Sequence, residues 1–225
     1  MKTNTISAEI TWEMIRHSWE LIKVNYRLCL ALVVIVLAAA FLGSIPFVGF
    51  LFGAALSAVL PLLFLPAMRL WEGGQPGDLK QRLAIKDDKK TLSRLLPLLI
   101  VQFALNAIPN GLAAFSFLGP TISSSLSMLS LPFSLLIGLA IPILLFNSDQ
   151  DAAGSVQWAL KGLLKNIFPF IVGALLLGVL ALVSVLFFVV PFFFITLPII
   201  MGYNYLWYRV VHEDLVIEVR KEDLL

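Results

Sequence analysis

Charged residues are scarce in this chain, and that scarcity sets the first limit on its structure. Asp, Glu, Lys and Arg make up 13% of the 225 residues, whereas a soluble globular domain carries about 25%. Hydrophobic residues make up 60%, and the mean hydropathy is +0.95. A surface with so little charge cannot be kept in water. The composition therefore excludes an ordinary soluble domain and predicts one integral membrane domain over residues 1–225.

Residues that support catalysis or metal binding are also rare. The single cysteine, Cys29, can form neither an internal disulfide nor a CxxC pair. Neither of the two histidines, His17 and His212, has a companion at metal-ligand spacing. Phosphate-binding loops, nucleophile motifs and carboxylate pairs within the apolar runs are missing. The sequence predicts a protein that is not an enzyme and uses no cofactor, and its net charge of +2 gives no reason to expect nucleic acid as a partner.

Three long stretches contain no Asp, Glu, Lys, Arg or His. They are residues 28–68, 95–148 and 166–208, which are 41, 54 and 43 residues long. One bilayer crossing takes about 20 residues, so each stretch suits two helices joined by a turn. We therefore predict an all-α, polytopic transmembrane helix bundle of about six spans arranged as three hairpins. The predicted spans are approximately 26–44, 49–70, 95–117, 124–147, 166–189 and 192–211.

Turn residues near the middle of each stretch mark the tips of the hairpins. The first tip is Gly43 to Gly49, the second is Gly119 to Ser125, and the third is at Pro191. With the tips placed there, every Lys and Arg falls on the same side as the two termini. Because Lys and Arg are retained in the cytoplasm, both termini are expected to be cytoplasmic.

Amphipathic segments precede the hairpins, at approximately 7–24, 78–94 and 152–165. Apolar and charged residues alternate in them at helical spacing, which predicts helices lying in the cytoplasmic membrane interface. Every tryptophan also maps near the charged side, where an indole prefers the headgroup layer. The predicted interface anchors are Trp12, Trp19, Trp71, Trp158 and Trp207.

The joins between these segments and the spans are alike. Leu21-Ile22-Lys23 leads into the first hairpin and Leu163-Leu164-Lys165 into the third. The likeness indicates a parallel threefold repeat of interfacial helix plus hairpin, although apolar sequences of low complexity also produce chance similarity.

The segments Trp19 to Asn25 and Ala159 to Asn166 carry a resemblance to known proteins. The chain resembles small bacterial inner-membrane proteins of about six helices, and it is similar to the membrane domain attached to some glycerophosphodiester phosphodiesterases. The resemblance implies a location in the bacterial cytoplasmic membrane. It carries over no catalytic residues, because these 225 residues include no phosphodiesterase domain.

Gln102, Asn106 and Asn110 form the sharpest polar feature of the apolar runs. They lie four residues apart and so share one face of a helix. An amide in hydrocarbon is costly without a partner, so this polar stripe should face protein or water. One interpretation is hydrogen bonding between helices. The other is a polar path or a groove that binds lipid headgroups.

The connection before the third span is basic. Lys86, Lys89, Lys90 and Arg94 are candidates for contacts with anionic lipid headgroups. Ordinary retention of positive charge in the cytoplasm explains the same residues without any bound lipid.

Two functional hypotheses follow from the sequence. The first is a non-enzymatic scaffold, assembly or envelope-maintenance component, whose partners are membrane lipids and either another protein or a second copy of the chain. The alternative is a carrier or binding protein for a lipid or small apolar solute, with the Gln102 stripe lining its path.

Overall fold

The structure is a computed structural model that describes residues 3–43, 45, 49–73, 89–115, 119–187, 192–213 and 215–217. Within these ranges nearly every residue is helical and no strand occurs, which confirms the all-α prediction. The helices are α1 Ala8–Val24, α2 Tyr26–Gly43, α3 Gly49–Glu72, α4 Lys89–Phe115, α5 Gly119–Phe146, α6 Ala152–Lys165, α7 Ile167–Phe187 and α8 Leu197–His212.

The predicted spans coincide with α2, α3, α4, α5, α7 and α8, with ends that differ by a few residues. Four of these helices, α3, α4, α5 and α7, are long and apolar enough to cross a membrane. Helix α1 and residues Cys29–Ala38 of α2 pass the same test only as a pair, and they are bent by 96° at the break between them. They add a fifth span if this bent pair crosses the membrane as one unit. Helix α8 has 16 residues, fewer than the roughly 20 of a full crossing.

Prolines lie inside the long helices without ending them. They occur in α3, α4 and α5 as Pro61, Pro66, Pro97, Pro109, Pro132 and Pro142. A proline removes one backbone donor and usually breaks or kinks a helix in water. Membrane helices tolerate it because neighbouring groups satisfy the freed carbonyl.

A π-helical turn, Phe192–Thr196, leads directly into α8. Pro198 lies in the first turn of α8 and has no N–H, so the ordinary ladder bond to the carbonyl of Phe194 cannot form there. The π-helical turn, which is wider than an α-helical turn, therefore lies where the series of α-helical hydrogen bonds is interrupted. The hydroxyls of Ser184 and Thr196, buried and 2.6 Å apart, join α7 to this turn.

Helix α8 is the centre of the fold. It packs against α1, α3 and α5, and four consecutive residues, Tyr205 to Tyr208, are buried. Burial at consecutive positions means that every face of the helix is covered by protein. Around this centre, α2 and α4 pack on α3, α4 also packs on α5, α6 packs on α5, and α7 packs on α1.

Helices α1 and α6 coincide with two of the predicted interfacial segments, 7–24 and 152–165. One face of α1 is buried against α7 and α8, with Thr11 donating a hydrogen bond to the carbonyl of Pro169 at 3.3 Å. The other face carries exposed residues such as Trp12 and Glu20. The amphipathic character of α1 is therefore confirmed, and its position at a membrane surface stays a prediction.

The α1–α2 and α6–α7 joins are one-residue elbows of the same geometry. Asn25 has φ −120° and ψ 30°, and Asn166 has φ −124° and ψ 33°. The N–H of each donates to the carbonyl three residues earlier, Ile22 or Leu163. In the second predicted unit, residues 78–88 lie outside the described residues, and 89–94 continue without a break into α4.

Candidate functional site

A polar network joins the ends of α3 and α8. Arg209 donates to both oxygens of Glu72, from Nε to Oε2 at 3.0 Å and from Nη2 to Oε1 at 3.1 Å. Such bidentate pairing is the strong form of an arginine–carboxylate contact. The hydroxyl of Tyr205 donates to the same carboxylate. The Glu72 and Arg209 side chains are 18% and 21% exposed, so the pair is shielded from most of the solvent.

Glu213, the residue after α8, extends the network to a second arginine. It accepts hydrogen bonds from Arg69 Nη1 at 3.2 Å, from the guanidinium of Arg209 and from the hydroxyl of Tyr208. Burial by itself raises the pKa of the Glu213 carboxyl, but the hydrogen bonds and the two arginine charges outweigh burial and lower the pKa. The Arg69 guanidinium also lies 4.6 Å from the ring centroid of Phe146 in α5.

We call Arg69, Glu72, Arg209 and Glu213 the charged clamp. Its charges are paired with one another, so the arrangement holds the ends of α3 and α8 together and presents no activated nucleophile. Both arginines directly follow an uncharged stretch of the sequence, but the sequence does not show that they share partners. The available signal was an arginine followed by a glutamate one turn later at the ends of two different spans.

The structure separates the predicted polar stripe into different environments. Gln102 is buried and donates from Nε2 to the hydroxyl of Ser134 in α5 at 2.7 Å. Its Oε1 has no hydrogen bond among the described residues. Asn106 and Asn110 donate to the carbonyls of Gln102 and Asn106, one turn back on their own helix, at 2.8 and 2.7 Å. Gln102 is thus the stripe residue that bonds to a neighbouring helix.

An apolar groove of about 250 Å³ lies between α4 and α5 beside the stripe. Leu105, Ile108 and Pro109 of α4 line it with Leu129 and Phe133 of α5. The stripe residues do not line this groove, so its chemistry suits a hydrocarbon chain and not a polar solute.

The predicted tryptophan anchors divide between the core and the surface. Trp71 and Trp207 are 3% and 2% exposed, so their indoles contact protein and not lipid headgroups. Trp12 is 54% exposed. Burial of this kind depends on tertiary neighbours, which sequence position near the charged side does not reveal.

Trp19 and Trp158 are partly exposed, and each lies beneath a lysine. Lys23 Nζ is 5.2 Å from the ring centroid of Trp19, and Lys161 Nζ is 4.8 Å from that of Trp158. Both cation–π pairs lie in the helices that precede the two elbows, but at different distances from them: Lys23 is two residues before Asn25, and Lys161 is five residues before Asn166. An anchoring role for these tryptophans stays a prediction.

The structure describes only some of the residues that were predicted to contact lipid headgroups. Lys86 and the side chain of Lys89 lie outside the described residues, and Lys90 is exposed. Arg94 donates to the carbonyl of Asn147 at 2.6 Å and from Nε to that of Gln150 at 3.1 Å. Its guanidinium therefore caps the C-terminal end of α5, where helix carbonyls lack partners.

Within the described part of the chain, no three His, Cys, Asp or Glu side chains come close enough to hold a metal ion. The fold and these contacts define an all-helical bundle with several helices of membrane-spanning length. No family model, curated protein or solved structure matches the chain. Its function is therefore argued from its own geometry.

Proposed function

We propose that the protein is an integral membrane protein of six spans in three hairpins, and that it acts as a non-enzymatic scaffold or assembly component. The observation that carries the proposed arrangement is the charged clamp together with Phe146. These residues bring together the C-terminal ends of α3, α5 and α8. In three hairpins that all begin on one side, those three helix ends lie on that same side, as these contacts require.

The outer surface of the bundle supports membrane embedding. Large apolar side chains lie exposed on the helices, among them Phe41, Leu175 and Leu186. In water, each such side chain would lose about 1.5–3 kcal/mol relative to an apolar environment. Lipid supplies that environment, whereas the charged clamp lies at the end of the bundle that the arrangement assigns to the cytoplasm.

Single-cysteine labelling tests the topology. In a Cys29→Ser background, a membrane-impermeant maleimide should label Ser44→Cys and Thr121→Cys in intact cells. It should label Ser7→Cys, Lys86→Cys and Val216→Cys only after permeabilisation, because Lys and Arg stay cytoplasmic. Labelling of Lys86→Cys and Val216→Cys from opposite sides would contradict the three-hairpin arrangement.

The scaffold role has its own test. Extraction in a mild detergent after cross-linking in cells should recover the chain with a defined partner or a second copy. An Arg209→Leu variant, with the clamp broken, should lose that association before it loses membrane insertion. Recovery of the lone chain after every mild extraction would count against a scaffold.

A carrier of a lipid or apolar solute is the second candidate, and the groove between α4 and α5 favours it. Leu129→Trp would fill this groove, whereas Leu175→Trp changes an exposed position on α7. If the protein is a carrier, only the first variant should slow transfer of a fluorescent lipid between vesicles. Equal transfer by both variants and the unchanged protein would count against this role.

A further inference from the structure

A second groove, of about 390 Å³, lies at the α1–α2 elbow and is separate from the charged clamp and the polar stripe. Cys29, Leu30 and Val33 of α2 form its apolar wall together with Phe194 of the π turn. We call it the elbow groove. Its volume falls near the lower end of the range of ligand pockets, about 300–1,000 Å³. It can hold one hydrocarbon chain but not a whole phospholipid.

The mouth of the elbow groove is aromatic and positively charged. Trp19, Lys23 and Tyr26 line it, and Lys23 Nζ lies over the Trp19 ring. Arg27 is next to the mouth and donates from Nε to the hydroxyl of Tyr26 at 3.3 Å. Among the residues that the structure describes, neither Lys23 nor Arg27 forms an ion pair with a carboxylate.

The order of the groove residues along α2 matches the layers of a membrane. Tyr26 and Arg27 come first, next to Trp19 and Lys23 at the end of α1, and the apolar wall extends about 10 Å further to Val33 at 1.5 Å per residue. Aromatic rings favour the headgroup level, and Lys or Arg beside a span attracts anionic headgroups.

We propose that the elbow groove binds one anionic phospholipid, with its phosphate between Lys23 and Arg27 and one acyl chain against Leu30, Val33 and Phe194. The second chain stays in the bilayer. This inference rests on the membrane location proposed above. It adds a ligand and a binding site on the outer face of the first hairpin.

The second elbow differs from the first in what covers it. There the side chain of Asn166 is engaged by the N-terminal segment, with Oδ1 accepting from the N–H of Ile6 and Nδ2 donating to the carbonyl of Asn4, both at 2.8 Å. No described segment makes such contacts with the side chain of Asn25. The two elbows share a backbone geometry, but only the second is covered by another described segment of the chain.

Charge substitution tests the headgroup contact. The full chain, purified in detergent and stripped of lipid, would be titrated with phosphatidylglycerol or phosphatidylcholine and read by native mass spectrometry. Lys23→Gln should weaken phosphatidylglycerol binding about fivefold, which corresponds to about 1 kcal/mol for one lysine near an anionic surface. Lys161→Gln is the control, because it removes the same charge from a lysine that also lies over a tryptophan ring but does not line the elbow groove. Equal affinity of these two variants, or equal binding of the two lipids, would overturn the proposal.

A steric substitution tests the acyl chain. Leu30→Trp fills the elbow groove and should lower phosphatidylglycerol occupancy, whereas Leu175→Trp on α7 should leave it unchanged. If Leu30→Cys instead cross-links to a second copy of the chain, and lipid occupancy is unaffected by Leu30→Trp, the groove is a protein interface and the proposal is wrong.

Alkaline extraction of membranes separates this inference from the proposed location. If the chain stays in the membrane pellet but Lys23→Gln and Lys161→Gln bind phosphatidylglycerol equally, only the elbow groove is wrong. If the chain is released from the membrane, the membrane location fails as well.

Discussion

The two ends of α3 and of α5 differ in packing. In α5, residues 139–144 near the charged clamp are buried, whereas Met128 and Leu129 toward the other end are 78% and 67% exposed. In α3, Phe64 to Met68 is almost wholly buried, and Leu51 and Phe52 are exposed. In α3 and α5, the end near the charged clamp is therefore packed against protein, and we call it the packed end; the opposite end presents apolar side chains outward. Helices α4 and α7 carry exposed apolar side chains at both ends.

Polar contacts between helices explain why α3 and α5 are more buried at the charged end than at the opposite end. Between helices in lipid there is no hydrophobic driving force, so association depends on close packing and hydrogen bonds. The charged clamp supplies such bonds between α3 and α8, and Arg94 supplies them between α4 and α5. At the opposite end of the described helices, lipid tails can cover the apolar side chains as well as protein can.

Breaking the charged clamp should produce the largest loss of stability. Arg209→Leu leaves Glu72 and Glu213 without their shared partner, and removal of one member of a buried pair costs about 3 kcal/mol. The free energy of unfolding would be measured in mixed detergent micelles. Arg27→Gln, at an exposed position, is the control and should change the free energy by less than about 1 kcal/mol. Equal losses would show that the clamp does not hold the packed end.

Replacing glycine by alanine should have different effects on stability at two positions in α7. The hydroxyl of Tyr203 lies 2.1 Å from where a Cβ on Gly173 would be, whereas a Cβ on Gly178 would meet no atom within 4 Å. Gly173→Ala should therefore destabilise the bundle by about 1–3 kcal/mol through overpacking. Gly178→Ala should be neutral or slightly stabilising, because alanine favours the helix.

A double mutant identifies the cause of the Gly173 effect. Tyr203→Phe removes the atom nearest to the new methyl group, so it should recover part of the loss measured for Gly173→Ala. The recovery is incomplete because Cζ of the ring and Cγ2 of Thr11 remain within 3 Å of that position. If the losses of stability add in the double mutant, the contact between Gly173 in α7 and the Tyr203 hydroxyl in α8 is not the cause of the loss in Gly173→Ala.

The helices were predictable because their signals are local. The uncharged stretches and the turn residues predicted the spans, and the helical spacing of apolar and charged residues such as Trp12, Glu13 and Trp19 predicted α1. The central place of α8 was not predictable from hydropathy, because a hydropathy profile does not show which helix the others enclose. Its tyrosines were a usable signal, because a hydroxyl is costly in lipid without a partner. Those of Tyr205 and Tyr208 both donate to carboxylates.

The polar site was predicted only in part. The spacing of Gln102, Asn106 and Asn110 places them on one face, but it does not say which amides bond to their own helix. That depends on the distance to Ser134 and its neighbours on α5. The charged clamp was missed because its partners, Glu72 and Arg209, are 137 residues apart in sequence.

Substitutions along the polar stripe should have a smaller effect than those in the clamp. Gln102→Leu removes the bond to Ser134 and should cost about 1 kcal/mol, within the range for such bonds between membrane helices. Asn110→Leu should cost less than about 0.5 kcal/mol, because its amide bonds to its own helix at an exposed position. A larger loss for Asn110→Leu than for Gln102→Leu would show that the stripe contacts something beyond α5.

Acid should weaken the packed end slightly and leave the other end unchanged. The folded-state pKa of Glu213 lies below its usual value, about 4.3. Its contribution to stability is therefore complete above that value and is lost as the pH falls through the lower folded-state pKa. The effect should be modest because Glu213 is partly exposed and solvent screens its charge.

Thermal unfolding in detergent measures this contribution. Between pH 7 and pH 3 the melting temperature of the unmodified protein should fall, and the fall should be smaller in Glu213→Gln. The exposed Glu9→Gln should keep the full dependence, and an identical pH profile for all three proteins would mean that Glu213 contributes nothing to the clamp.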